Sequence, residues 1–273
     1  MLRDADLFHL TEATVPTAQG ELTYWLHQPE DRVAGKSILL LTFSSTRQAS
    51  FYEDPYNIPA RLFAEAGYAV ASFDLPNHGA QINAFGEGIV GMCAAVCAGV
   101  DPFVQFIDQA QTVIDACLRQ GVGTGGLFAC GVSRAGYCAL RLAAADPRID
   151  GVAGLAPVID WRALREFAAV RELPAVAALD LNHWAVQLAG RPIFMSIGNH
   201  DDRVGSDHCV RLALRLLELE EPSVARTSAL QLHVVEDAGH GLSNPWRTAG
   251  AEFLLRHAQR KEATHAMPAL GSA

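Results

Sequence analysis

The chain has 273 residues, 50% hydrophobic and 19% charged, enough for one large domain or two small ones and too apolar for extended disorder. Its 21 basic and 30 acidic side chains leave a formal net charge of −9, which repels phosphate backbones and excludes nucleic acid as an expected partner. Six cysteines stand in apolar surroundings with no CxxC pair, so neither a disulfide scaffold nor a zinc site is expected.

In chain order, Leu7 to Thr14 and Glu21 to Gln28 alternate as strands and form a hairpin through Pro16 and Gly20. Ser37 to Phe43 is a continuous apolar run, the pattern of a strand covered on both faces. A polar and aromatic loop is expected from Ser44 to Asn57, then a helix from Pro59 to Ala66 that Gly67 stops. Tyr68 to Phe73 is a second buried strand. Asp101 caps a helix running to Gln120, with Pro102 in its first turn and apolar residues at helical spacing. Further strands are expected at Gly125–Gly131, Gly151–Pro157, Pro192–Ile197 and Ala229–Val235, with helices at Arg134–Ala145, Ser206–Leu219 and Pro245–Ala258. A hairpin followed by strand–helix units predicts an α/β fold: a mostly parallel sheet with helices on both faces.

This layout makes residues 1–258 a single domain and leaves 259–273 as a flexible tail. Two segments break the repeat, Leu75 to Val100 and Ile159 to Gly190. Both follow carboxyl ends of strands, where open α/β sheets bind ligands, so both are expected to wall a pocket, with 159–190 as a short lid. The N-terminus lacks the apolar core of a signal peptide and the longest apolar stretch, Gly88 to Val100, is too short to span a bilayer. A cytoplasmic protein without membrane association is therefore expected.

The chemistry centres on Gly131-Val132-Ser133-Arg134-Ala135-Gly136, between a strand and a helix. Small residues two before and two after a serine allow a sharp turn that pushes its hydroxyl out of the backbone contour. The usual form is G-x-S-x-G, and Ala135 departs from it. Serine needs a base and the base an orienting acid. Gly198-Asn199-His200-Asp201-Asp202-Arg203-Val204 and Ala238-Gly239-His240-Gly241 supply them after the next strands, in the order serine, acid, histidine.

On these residues, and on Phe73-Asp74-Leu75-Pro76-Asn77-His78-Gly79, the chain resembles the α/β-hydrolase family, in its dienelactone-hydrolase and prolyl-oligopeptidase-like branch, over about residues 7 to 258. The resemblance implies an eight-stranded sheet with Ser133 as nucleophile, His240 as base and Asp201 as the orienting acid. The family's G-x-x-D-x-x-V spacing selects Asp201 over Asp202. The backbone N–H of Arg134 is expected as one oxyanion donor and that of Ser44 as the other, with Ser45 as rival, because the family's His-Gly is Ser-Ser here. His78 is expected to support the oxyanion loop.

Phe43, Trp161 and Trp184 are expected to line an apolar substrate pocket, among aromatic residues that include Tyr56. Arg134 and Arg47 are candidates for steering an acidic substrate, with a solvated surface role favoured for Arg47. No histidine spacing fits a metal site, and neither metal nor cofactor is expected. The expected activity is hydrolysis of a small or medium carboxylic ester through an acyl-enzyme. A peptidase or amidase of the prolyl-oligopeptidase-like type and a non-hydrolytic ligand-binding protein are the alternatives. Oligomeric state has no signature in the sequence; a homodimer is compatible with it.

Overall fold

The structure, a computed structural model, describes residues 7–30, 37–220, 229–241 and 244–266; residues 1–6 of the expected domain and 267–273 of the expected tail lie outside them. Eight strands form one sheet in the order β1-β2-β4-β3-β5-β6-β7-β8. The first two, β1 (Leu10–Thr17) and β2 (Gly20–His27), are the antiparallel hairpin. Strand β1 begins and ends three residues later than the alternation predicts and runs on through Pro16, which an edge strand tolerates, while β2 lies one residue earlier than expected. The hairpin joins antiparallel to β4 (Ala69–Ser72), and all pairings beyond that are parallel.

The strands at the centre are buried along their whole length: β3 (Ile38–Phe43), β4 and β5 (Gly126–Val132). In β3, Leu39 and Leu41 join the larger core cluster, while Ile38 and Leu40 join a second cluster with Phe63, Phe128 and Phe253. Alternate side chains thus feed two cores, which is why the run reads as continuously apolar. The remaining strands are β6 (Ile149–Leu155), β7 (Ile193–His200) and β8 (Leu230–Ala238).

The segment 44–57 is not all loop. It holds a short helix, α1 (Arg47–Tyr52), whose N-cap Thr46 accepts from the Ala49 N–H at 3.1 Å. Helix α2 (Ile58–Glu65) ends at Gly67, whose φ of 80° only glycine adopts without strain. Helix α3 (Gly88–Cys97) lies within the first irregular segment. In α4 (Pro102–Arg119), the Asp101 carboxylate caps the N–H groups of Phe103 and Val104, at 2.8 and 3.2 Å. Helix α5 (Arg134–Ala145) follows β5 directly.

The segment 159–190 is a series of 3-10 turns at Trp161–Ala163, Arg165–Val170 and Leu181–Trp184 and two single-turn helices, α6 (Pro174–Ala177) and α7 (Ala185–Leu188). Asp160 and Asp180 each accept from the N–H two residues on, restarting the chain direction where a long helix would have continued. Helix α8 (Ser206–Leu219) matches its expected span. The last helix, α9 (Asn244–Ala266), runs past the expected end at Ala258. Residues 259–266 are therefore helix rather than tail: Lys261 pairs with Asp150, and the Tyr68 hydroxyl donates to Glu262 at 2.9 Å. Among the described residues, no single helix is long and apolar enough to cross a membrane.

Candidate active site

Ser133 sits at the junction of β5 and α5 with φ 57° and ψ −120°, a conformation disfavoured for a non-glycine residue. The surrounding backbone holds it there. The Ser133 N–H donates to Leu155 O at 2.8 Å, and its carbonyl accepts from Val158 N at 3.1 Å. The turn requires glycine at 131: a Cβ there would stand 2.1 Å from the Ala135 carbonyl oxygen. The departure at Ala135 is accommodated, since its methyl packs in the core.

His240 projects from the loop after β8, directly after Gly239 with φ 91°. Its Nε2 lies 2.9 Å from Ser133 Oγ and its Nδ1 2.7 Å from Asp201 Oδ2. The Asp201 side chain is 0% exposed. Its other oxygen accepts from the N–H groups of Arg203 and Val204, at 3.0 and 3.2 Å. A buried carboxylate is thus bound on both oxygens. Neighbouring Asp202 points to solvent, and Arg203 pairs instead with Glu166 through two bonds of 2.7 and 2.8 Å. Burial pushes the Glu166 carboxyl up, but the Arg203 hydrogen bonds outweigh it and hold the pKa below the ordinary value. The structure therefore brings together the three side chains singled out from the sequence.

The oxyanion assignment changes in part. Arg134, at the first turn of α5, lines the cavity in front of Ser133, and its N–H is among those at the start of the helix that no intrahelical carbonyl takes. The Ser44 N–H, however, donates to Ser50 Oγ at 3.1 Å. Among the described residues the Ser45 N–H has no such acceptor, and Ser45 lines the same cavity. Ser45 replaces Ser44 as the second candidate donor.

The cavity has a volume of about 570 Å³. Its lining comes from the 44–57 segment (including Pro55 and Tyr56), from Ile89, and from Arg134, Arg203, His240 and Arg247. None of the three expected pocket residues is in it. Phe43 is buried against Phe73 and Phe106, with ring centroids 5.2 and 5.0 Å away. Trp161 is fully buried among Phe103, Tyr137 and Phe167. Trp184 lies under the Arg141 guanidinium, 3.5 Å from ring centroid to Cζ. Segment 75–100 contributes Ile89, whereas 159–190, the expected lid, contributes no lining residue.

The turn after β4 also differs from expectation. Asp74, not His78, ties it to the 44–57 segment, accepting from Arg47 N at 2.8 Å and Arg47 Nη1 at 2.7 Å. That ion pair takes Arg47 out of the candidate site. His78 instead accepts from Arg134 Nε at 3.0 Å. Burial pushes the Cys130 thiol up to about 12 and the Cys138 thiol upward too, so neither supplies a thiolate beside the elbow. Among the described residues, no group of three or more His, Cys, Asp or Glu side chains is placed to hold a metal ion.

No family model and no curated protein matches the chain. Solved structures do. The acylaminoacyl peptidase of Pyrococcus horikoshii superposes with a TM-score of 0.70 at 13% identity, over 93% of this chain and 42% of that one. The TT1662 protein of Thermus thermophilus gives 0.66 at 20% identity, over 92% and 99% of the two chains. Esterase Pf2001 of Pyrococcus furiosus gives 0.66 at 16%, over 94% and 96%. The chain thus spans less than half the length of the peptidase and nearly all of the other two. The protein has the α/β-hydrolase fold.

Proposed function

We propose that the protein is a serine hydrolase that cleaves a small or medium carboxylic ester through an acyl-enzyme intermediate. The observation that carries this reading is the unbroken hydrogen-bonded line from Ser133 Oγ through His240 to a solvent-excluded Asp201, at 2.9 and 2.7 Å. His240 Nε2 takes the proton as Ser133 Oγ attacks the carbonyl carbon. The Nδ1–H donates to Asp201, which fixes the tautomer and steadies the imidazolium that forms. The tetrahedral oxyanion is received by the N–H groups of Arg134 and Ser45; one such donor is worth about 10²–10³ in rate. His240 then protonates the departing alkoxide. A water gives a proton to the same nitrogen as it adds to the acyl carbon, and that proton passes to Ser133 Oγ as the bond to serine breaks and the acid leaves.

Likeness over nearly the whole length of an esterase supports the ester reading. Likeness to an acylaminoacyl peptidase favours a second reading, amide or peptide hydrolysis with the same three residues. An alkoxide leaves more readily than an amine, which favours the ester.

Labelling by a fluorophosphonate tests the site. Wild type and Asp202→Ala should take the label, and Ser133→Ala should not. An unlabelled wild type removes this serine from catalysis. Short p-nitrophenyl esters against aminoacyl anilides then separate the two substrate readings.

A further inference from the structure

The cavity in front of Ser133 is cationic in a chain of net charge −9. Arg134, Arg203 and Arg247 line it, against one exposed acid, Glu53. The three cations differ. Arg203 is neutralised by Glu166. Arg247 is 2% exposed and lies over the Tyr56 ring, 5.2 Å from its centroid. Arg134 follows the nucleophile directly, and among the described residues its side chain makes one hydrogen bond, from Nε to His78. No carboxylate of the described residues is within ion-pair distance of it.

That one bond is informative. A guanidinium can only donate, so His78 Nε2 must be the acceptor, and the ring proton is on Nδ1, donated to Pro76 O at 2.8 Å. His78 is therefore neutral in this arrangement, and burial followed by the Arg134 charge moves its pKa down accordingly. Arg134 is gripped by an uncharged group, and its terminal N–H donors keep their charge and their hydrogen-bonding capacity. A guanidinium partly withdrawn from water without an acid is disfavoured unless something supplies the missing negative charge.

We infer that Arg134 receives a carboxylate of the substrate itself, carried a few bonds from the scissile carbonyl. Its planar fork suits a carboxylate. His78 is the positioning residue that aims the guanidinium. A cavity of about 570 Å³ accepts a small ester of this kind. The inference rests on the hydrolase reading and adds the substrate class to it.

The test compares pairs of p-nitrophenyl esters after subtraction of spontaneous hydrolysis. Hemiglutarate and hemiadipate are set against neutral isosteres that end in an isopropyl group. In wild type the carboxylate-bearing ester should have a kcat/KM about tenfold higher or more, the difference residing in KM. Arg134→Met should bring the ratio to about one, and Arg134→Lys should keep part of it. His78→Leu should lower the ratio, and His78→Gln, which retains an acceptor for Arg134, should restore it. A wild-type ratio of one or less for both chain lengths, or a ratio unmoved by Arg134→Met, overturns the inference while fluorophosphonate labelling leaves the hydrolase reading standing. If wild type takes no label, that reading falls, and calorimetric titration with glutarate decides the anion site alone. Binding abolished by Arg134→Met sustains it, and absence of binding ends it.

Discussion

The elbow around Ser133 carries the candidate site and the strip from 159 to 190 reaches it through the Glu166–Arg203 pair, and the two are held by different means. At the elbow the backbone sets position: Gly131 lets the Ala135 carbonyl approach, and main-chain bonds to Leu155 and Val158 fix an unfavourable φ. Along 159–190 the side chains set it. Trp161 fills the core among three aromatic rings, Trp184 covers Arg141, and Glu166 grips Arg203 beside the acid loop. The strip is a buttress for the site rather than a lid over it. A run of short turns after a strand end is no sign of a moving cover when its large side chains point inward.

This contrast can be broken most severely at residue 131. Gly131→Ala places a methyl against backbone that cannot move aside. It should remove fluorophosphonate labelling and destabilise the fold by about 4 kcal/mol or more, read from the urea midpoint. Wild-type stability in this variant would show that the elbow can open.

Trp161→Ala sharpens the other side. A buttress residue should lose about 3–5 kcal/mol on truncation, lowering Tm by roughly 10 °C, with little change in KM for a small ester. A shifted KM with unchanged Tm would restore the lid.

The smallest effect is expected at Glu166. Its pKa is lowered in the folded state from an ordinary 4.5. The stabilisation is therefore present above about pH 4.5 and lost as the pH falls through the lower folded value. Glu166→Gln should cost about 1 kcal/mol at neutral pH, since the pair is partly solvated. The gap to wild type should close on acidification, and a gap that widens toward low pH would contradict the pairing.

The order of strands and helices was legible because the buried strands are unbroken apolar runs and α4 carries its own cap at Asp101. The serine, acid and histidine were legible because each stands just past a strand end in a recognisable local pattern. The differences arise where a residue's partner, near or far along the chain, is set by the fold rather than by the local pattern. Residues 259–266 read as tail because Asp150 and Tyr68, which hold Lys261 and Glu262, lie far away. Ser44 reads as the donor ahead of Ser45 because the Ser50 hydroxyl that engages it belongs to a helix whose pattern reads as loop. Composition does not say which way the rings of Phe43, Trp161 and Trp184 face, and the fold turns all three away from the cavity. Thr46 as a cap for α1 was a signal that could have been taken.

Because residue 133 donates its N–H to Leu155 and accepts at its carbonyl from Val158, the proposed nucleophile is mounted on the ends of two neighbouring strands at once. In the proposed acyl transfer such a mount stays still. The give that the proposed reaction needs is expected of the opposite partner, the imidazole of His240, which hangs from a loop and is steadied by its contacts with Ser133 and Asp201.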